Sequence, residues 1–206
     1  PFALYKPDLV VLPITIDYNK EKERKEIKLY SSIELMRAGY LNASKWFKHG
    51  EIIWNQQKTA KSKNMTANDR LNFQRGLIEQ NIEAEYLVLY NASAKDANAV
   101  MIERKWIGYD KRFIDLEFIV ESKGYVFYTN DSGEAFYLAA ILNSTIPNLM
   151  MKDFQTKGLF GARDVHKKIL DIYFPKFNPK DETHKQLAVK SIMAHRKAEN
   201  YLEANP

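Results

Sequence analysis

Between Ser44 and Arg75 the chain carries Lys45, Lys48, Lys58, Lys61, Lys63, Arg70 and Arg75 against only Glu51 and Asp69, an excess of 7 − 2 = +5. The whole chain has 31 Lys and Arg against 26 Asp and Glu, so the other 24 cations and 24 anions cancel and the full +5 sits in this one segment. A cationic field gathered in one place is what attraction to phosphate requires. Trp46, Phe47, His49 and Trp54 interleave with these lysines, and flat rings either stack on bases or pack beneath the basic side chains. A second basic run spans Lys157 to Lys168, where Gly158 and Gly161 let backbone approach a partner while Arg163, Lys167 and Lys168 supply charge suited to phosphate. Asn91, Ser93, Asn64, Gln56 and Gln57 are candidates for base readout, because Asn and Gln amides pair bidentately with adenine in the major groove.

Catalytic chemistry is sparse by comparison. The four histidines, His49, His166, His184 and His195, lack close metal-ligand spacing, and no Ser or Thr stands beside one in a triad order. His195 reads as a packing or helix-surface residue. There are no cysteines, which excludes thiolate metal sites and disulfide frameworks and fits a reducing cytoplasm. Pro7-Asp8, a gap of 17 residues and Glu26-Ile27-Lys28 match a loose nuclease pattern in which two carboxylates hold magnesium and the lysine polarises water. That pattern is short, and Glu26 falls in a charge run that reads as a solvated loop. Glu103-Arg104-Lys105 reads as a strand end with surface charge. Asn-x-Ser/Thr triplets at Asn42, Asn64, Asn91, Asn130 and Asn143 arise readily by chance, and no signal peptide accompanies them.

The elements that must position these residues follow from the hydrophobic pattern. With 206 residues and 45% hydrophobic content, the chain can bury a sizeable core. No apolar stretch approaches the roughly 20 residues that span a bilayer. Leu9 to Ile16 reads as a strand interrupted by Pro13, and Asn19 to Lys28 as a charged loop or hairpin tip. Ser31 or Ser32 can cap a helix through Leu41, Ser44 a second, and Thr66 or Asn68 a third; Lys58 to Asn64 reads as a mobile polar link. Four aromatic or β-branched runs follow, Tyr86–Tyr90, Val100–Lys105, Phe113–Val120 and Tyr125–Tyr128. Asp131 or Ser132 then caps a helix to Leu142, Thr145 to Phe154 continues it after a break near Pro147, and a last helix runs from about Asp181 to Leu202. Ala188, Ile192, His195 and Leu202 lie near heptad spacing along it. The pattern predicts an α+β fold, a small mainly antiparallel or mixed sheet flanked by helices, with residues 1–178 as one domain and 179–206 as a helix packed on it or on a partner.

Several of these stretches follow one another in a telling order: Trp54 with the lysines after it, Asp69-Arg70-Leu71-Asn72-Phe73-Gln74, Tyr90-Asn91-Ala92-Ser93, Ala97-Asn98-Ala99-Val100, Glu134 to Ser144, the glycine-punctuated basic loop, and Phe174-Pro175-Lys176-Phe177. This ordered set, over about residues 44 to 190, resembles the C-terminal target-recognition region of N6-adenine DNA methyltransferases of restriction-modification systems, including fused methylase-nucleases. The resemblance implies double-stranded DNA as partner, with Lys58, Lys61, Lys63, Asn91, Ser93, Gly158, Gly161, Arg163, Lys167 and Lys168 as contact residues. It also implies a catalytic domain upstream or on a partner subunit, which would use S-adenosylmethionine. The donor-binding glycine turn and the Asn/Asp-Pro-Pro-Tyr/Phe loop of such a domain do not occur here: Asn178-Pro179-Lys180 lacks the second proline and the aromatic, and Gly158 and Gly161 follow a helix rather than a strand. No cofactor and no catalytic activity are therefore expected of these residues themselves. A specificity-subunit-like interaction module is the alternative, with the final helix and Leu138 to Leu149 packing on a partner.

Overall fold

The structure is a computed structural model that describes residues 2–4, 10–104, 118–121, 124–154, 157–158, 161–162, 167–172 and 174–205. It is α+β, and its contacts divide into two units, Asp8–Glu83 and a larger one made of Pro1–Pro7 with Ala84–Pro206.

In the smaller unit, β1 (Ile14–Asn19) and β2 (Arg24–Leu29) form an antiparallel hairpin in register from Ile14↔Leu29 to Asn19↔Arg24. The first strand starts after Pro13 instead of running through it, because proline has no N–H to place in a ladder. Only the tip of the charged run is a turn; Arg24 to Lys28 is strand, with Ile27 buried and its charged neighbours facing out. Helix α1 (Ser32–Arg37) opens on a capping box between Ser31 and Glu34. Helix α2 (Leu41–Gln57) begins ahead of Ser44, which is not a cap: its buried hydroxyl donates to the Ser32 carbonyl at 2.7 Å and ties α2 to α1. Glu51 completes that seam by accepting from Ser32 N and Oγ at 3.2 and 2.8 Å. The stretch expected to be a mobile link is folded, because Thr59 and Ser62 make a reciprocal cap on a 3-10 turn, Ala60–Ser62. A third capping box, Thr66 with Asp69, starts α3 (Ala67–Leu71).

The larger unit is layered. Its sheet has the order β4-β3-β5 with both pairings antiparallel, from β3 (Tyr86–Asn91), β4 (Ala99–Glu103) and β5 (Gly124–Thr129). Of the strand expected over Phe113–Val120, residues 113–117 lie outside the described residues and Phe118–Val120 join no ladder. Helix α4 (Ser132–Leu142), capped by Asp131, is apolar nearly all round because it is covered twice, by the sheet on one side and by α6 (Glu182–Ala204) on the other. Val88, Tyr90 and Ala99 meet Ala135, Leu138, Ala139 and Leu142 in the core. Helix α6 packs through His184, Ala188, Ser191 and His195, so the heptad-spaced seam is spent inside this unit.

Among the described residues strand β4 is paired to β3 alone, and side chains line its other edge. Asn148 Oδ1 accepts from Ala97 N at 2.7 Å, from α5 (Thr145–Met151). Asn143 behaves like a peptide group of a missing strand: its Oδ1 accepts from Ala99 N at 2.9 Å and its Nδ2 donates to Ala99 O at 2.8 Å. His195 Nε2 accepts from Met101 N at 2.9 Å. Alternate residues of an edge strand present their N–H outward, so the contacts at 99 and 101, continued at 97 just ahead of the strand, occupy outward N–H groups and blunt the edge as a template for strand addition.

Candidate nucleic-acid interface

The basic segment folds as α2, the 3-10 turn, α3 and a second 3-10 turn, Phe73–Arg75. Along α2 the inward line is Ser44, Phe47, Glu51 and Trp54, spaced three and four apart as one helix face requires. Trp54 donates from Nε1 to Met65 O at 2.9 Å, so this tryptophan is a structural tie between α2 and the approach to α3. Trp46 is different, 62% exposed and set perpendicular to Phe47 with ring centres 4.8 Å apart. Leu41, Ile52 and Ile53 are also exposed on the outward side, among Lys45, His49, Gln56 and Gln57. The one carboxylate of the helix, Glu51, is turned to Ser32 and also takes Lys48 at 3.4 Å.

Of the three lysines assigned to phosphate, Lys58 donates to Asn55 Oδ1 at 3.1 Å, while Lys61 and Lys63 are exposed and meet no acceptor among the described residues. Arg70 lies over the Phe73 ring at 5.7 Å, and Arg75 pairs with Glu79. Asn64, Gln56 and Gln57 are exposed with amides unbonded to any described residue, as a base-reading group requires before a partner arrives.

Asn91 is committed elsewhere. Its Oδ1 accepts from Asn98 N at 2.7 Å and its Nδ2 donates to Asp96 O at 3.2 Å, so it holds the β3–β4 connection in shape. Ser93, exposed in that connection, is presented by the turn that Asn91 organises. Gly158 and Gly161 face each other in the short ladder of β6 (Lys157–Gly158) and β7 (Gly161–Ala162). Arg163 and His166 lie outside the described residues, as do the side chains of Lys167 and Lys168, whose backbone opens a 3-10 helix, Lys167–Asp171. The three lysines of residues 58–63, with Gln56, Gln57 and Asn64, thus belong to the smaller unit, and Asn91, Ser93 and the 158–168 candidates to the larger one.

The Phe174–Phe177 segment has a clear structural job. Tyr137 of α4 donates its hydroxyl to Pro175 O at 2.8 Å, and Phe177 packs so close to Gly133 that a Cβ there would lie 2.8 Å from its ring. His184 Nδ1 accepts from Asn178 N at 2.9 Å and its ring lies against Tyr137. Two parts of the ordered set seen in the sequence, α4 and this segment, are therefore packed on each other.

For the nuclease pattern, Asp8 is outside the described residues and Glu26 sits in β2 directly across from Asp17. Glu26 is held down to about 2 by Lys22 first, then by Asn19 and Arg24, so its oxygens are already taken by cations and an amide. No group of His, Cys, Asp and Glu suited to a metal occurs among the described residues. None of the described helices is long and apolar enough to cross a membrane.

The edge contacts of β4 made by Asn143, Asn148 and His195 are not legible in the sequence, which reads His195 only as a packing or helix-surface residue. Their signal is invisible in one dimension, since their partners are 44, 51 and 94 residues away. Gly50 was also passed over, although a glycine in the middle of a helical pattern is a mark that can be read. No protein-family model, curated protein or solved structure matches the chain.

Proposed function

We propose that this chain is a DNA target-recognition domain, binding duplex DNA and positioning it for a site-specific adenine-N6 methyltransferase of a restriction-modification system. The observation that carries the reading is the localised charge: the +5 excess falls on residues 44–75, and there Lys61 and Lys63 stand exposed without acceptors among the described residues. Lysines free of intramolecular partners are available to displace counterions from phosphate. Methyl transfer, and the S-adenosylmethionine it consumes, belong to a catalytic domain of the same chain or a partner subunit, working in the cytoplasm where the DNA is. The test is anisotropy of labelled duplexes titrated with the chain between roughly 50 and 200 mM salt, where log K falls by about 0.9 per phosphate contact for each unit of log salt. Absence of duplex binding, or a flat salt dependence, overturns the reading; so does methylation by the chain alone.

One observation favours an interaction module as the second reading. Val189, Met193 and Tyr201 of α6 and Ile146, Leu149 and Met150 of α5 are exposed, whereas Leu138 and Leu142, expected at the same surface, are buried in their own core. Met193→Glu separates the two readings: it disrupts association with a methyltransferase domain under the second and leaves DNA affinity unchanged under the first.

A further inference from the structure

Gly50 is the tenth of the 17 residues of α2, a position where glycine is the least favourable residue short of proline. Four other glycines, Gly39, Gly76, Gly124 and Gly133, have internal reasons. Gly133 and Gly124 would drive a Cβ to 2.8 Å from Phe177 and 2.9 Å from Leu89, Gly76 lies 3.2 Å from the Phe73 carbonyl, and Gly39 has φ +87°. At Gly50 an added Cβ meets nothing within 4 Å and the backbone is ordinary helix, so the fold itself does not ask for glycine. What glycine leaves there is bare helix backbone on the outward side. Trp46 stands one turn before it, and Ile53 and Gln57 lie three and seven residues after it, all on neighbouring helix positions.

The chemistry of this face selects its occupant. Lys45 and His49 are exposed on the adjoining part of the outward side, Glu51 is turned away onto Ser32, and Asn42, Gln56 and Gln57 put amides between the apolar groups. The surface complements a polyanion that also offers flat rings and hydrogen-bonding edges. An anionic membrane is a poorer fit, because Leu41, Trp46, Ile52 and Ile53 alternate with polar residues instead of forming the continuous apolar face an interfacial helix buries.

We propose that the outward face of α2 is a close-approach contact for a nucleic-acid strand, whose sugar-phosphate backbone passes over the bare helix at Gly50 while Trp46 stacks on an unpaired base. This rests on the DNA reading above and extends it, from attraction to phosphate to a preference for DNA with a base out of the stack. Ring stacking tolerates any base, so the contact senses an opened strand and not a sequence.

The experiment compares the chain with its Gly50→Ala, Trp46→Ala and Trp46→Phe variants on a short labelled duplex carrying one central unpaired base and on its fully paired counterpart. The unaltered chain binds the interrupted duplex more tightly. Trp46→Ala lowers that affinity about tenfold and abolishes the preference, and Trp46→Phe restores part of it. Gly50→Ala raises the melting temperature by a few degrees, since alanine suits the helix, and yet weakens binding to both duplexes. A more stable Gly50→Ala chain with unchanged affinity overturns the proposal, as does tighter binding to phosphatidylserine vesicles than to either duplex. If the unaltered chain binds no DNA, the DNA reading and this inference fall together. If it binds with a steep salt slope and all three variants match it, only the α2 contact is lost.

Discussion

In the larger unit Asn143, Asn148 and His195 aim their polar atoms inward at β4, while in the smaller unit Lys45, His49, Lys61 and Lys63 aim theirs at solvent. Polar side chains of the smaller unit that do bond mostly bond locally, in the boxes Ser31/Glu34, Thr59/Ser62 and Thr66/Asp69. Inward, long-range bonds define one fold; local caps define helix ends and leave the outer surface free for a partner. The difference separates residues whose loss should destabilise the chain from residues whose loss should leave it folded and, on the proposed DNA reading, weaken binding.

The largest stability effect belongs to the core of the larger unit. Leu142 is fully buried against the sheet, so Leu142→Ala should cost about 2–5 kcal/mol in urea unfolding, from lost burial and the cavity left behind. Asn143→Ala comes next. It strips the Ala99 N–H and C=O of their edge partner, and leaving such groups unsatisfied costs about 1–3 kcal/mol each where water cannot reach. A melting temperature equal to that of the unaltered chain would mean that the β4 edge is open, and the contrast between units would collapse.

His195 sharpens the comparison through pH. Its Nδ1 lies 2.8 Å from Ser191 O and donates to it, its Nε2 accepts from Met101 N, and the rings of Phe2 and Phe136 flank it. Burial pushes its pKa below the ordinary 6.5, against the opposing pull of the Ser191 carbonyl. The neutral ring is the one that fits, since a protonated Nε2 has nothing to accept with. The unfolded chain therefore binds the proton more readily, so this contribution is intact above pH 6.5 and is lost as pH falls through the lower folded value. Urea midpoints at neutral pH and at about pH 5.5 should differ in the native chain, and the difference should shrink in His195→Asn. An equal drop in both would assign the acid sensitivity to other groups.

The same contrast explains what could be read in advance. Helix ends in the smaller unit were legible because a cap lies within three residues of its partner, as Thr66 and Asp69 do. Ser44 is no cap because its hydroxyl is spent across to Ser32, and the polarity of the 58–64 stretch does not announce the turn in which Thr59 and Ser62 cap each other. The Asp131 cap and the apolar run mark α4, and the spacing of Ala188, Ile192 and His195 marks α6, while the closing of β4 depends on pairings of high sequence separation that no local pattern carries. For the candidate site, the location of the charge was in the sequence; which rings are free was not. Trp54 and Trp46 read alike until Trp54 is found bonded to Met65 and Trp46 exposed.

The smallest stability effect should come from the residues with the largest predicted effect on DNA. Lys61 and Lys63 are exposed without partners among the described residues, and Lys58 gives up a single bond to Asn55, so replacing all three with alanine should change unfolding by no more than about 0.5 kcal/mol. Helix α2 ends at Gln57 and the 3-10 turn is held by Thr59 and Ser62, neither of which the substitution touches. Binding should respond differently, with affinity falling nearly uniformly across duplex sequences and the salt slope flattening by about 0.9 for each phosphate contact removed. Uniformity is the informative part, because phosphate contacts position the duplex while base contacts discriminate. Should the triple variant lose discrimination at one base pair while keeping its salt slope, these lysines read base edges. If neither affinity nor slope moves, the segment faces solvent in the complex, and the outward-facing charge of the smaller unit serves solubility alone.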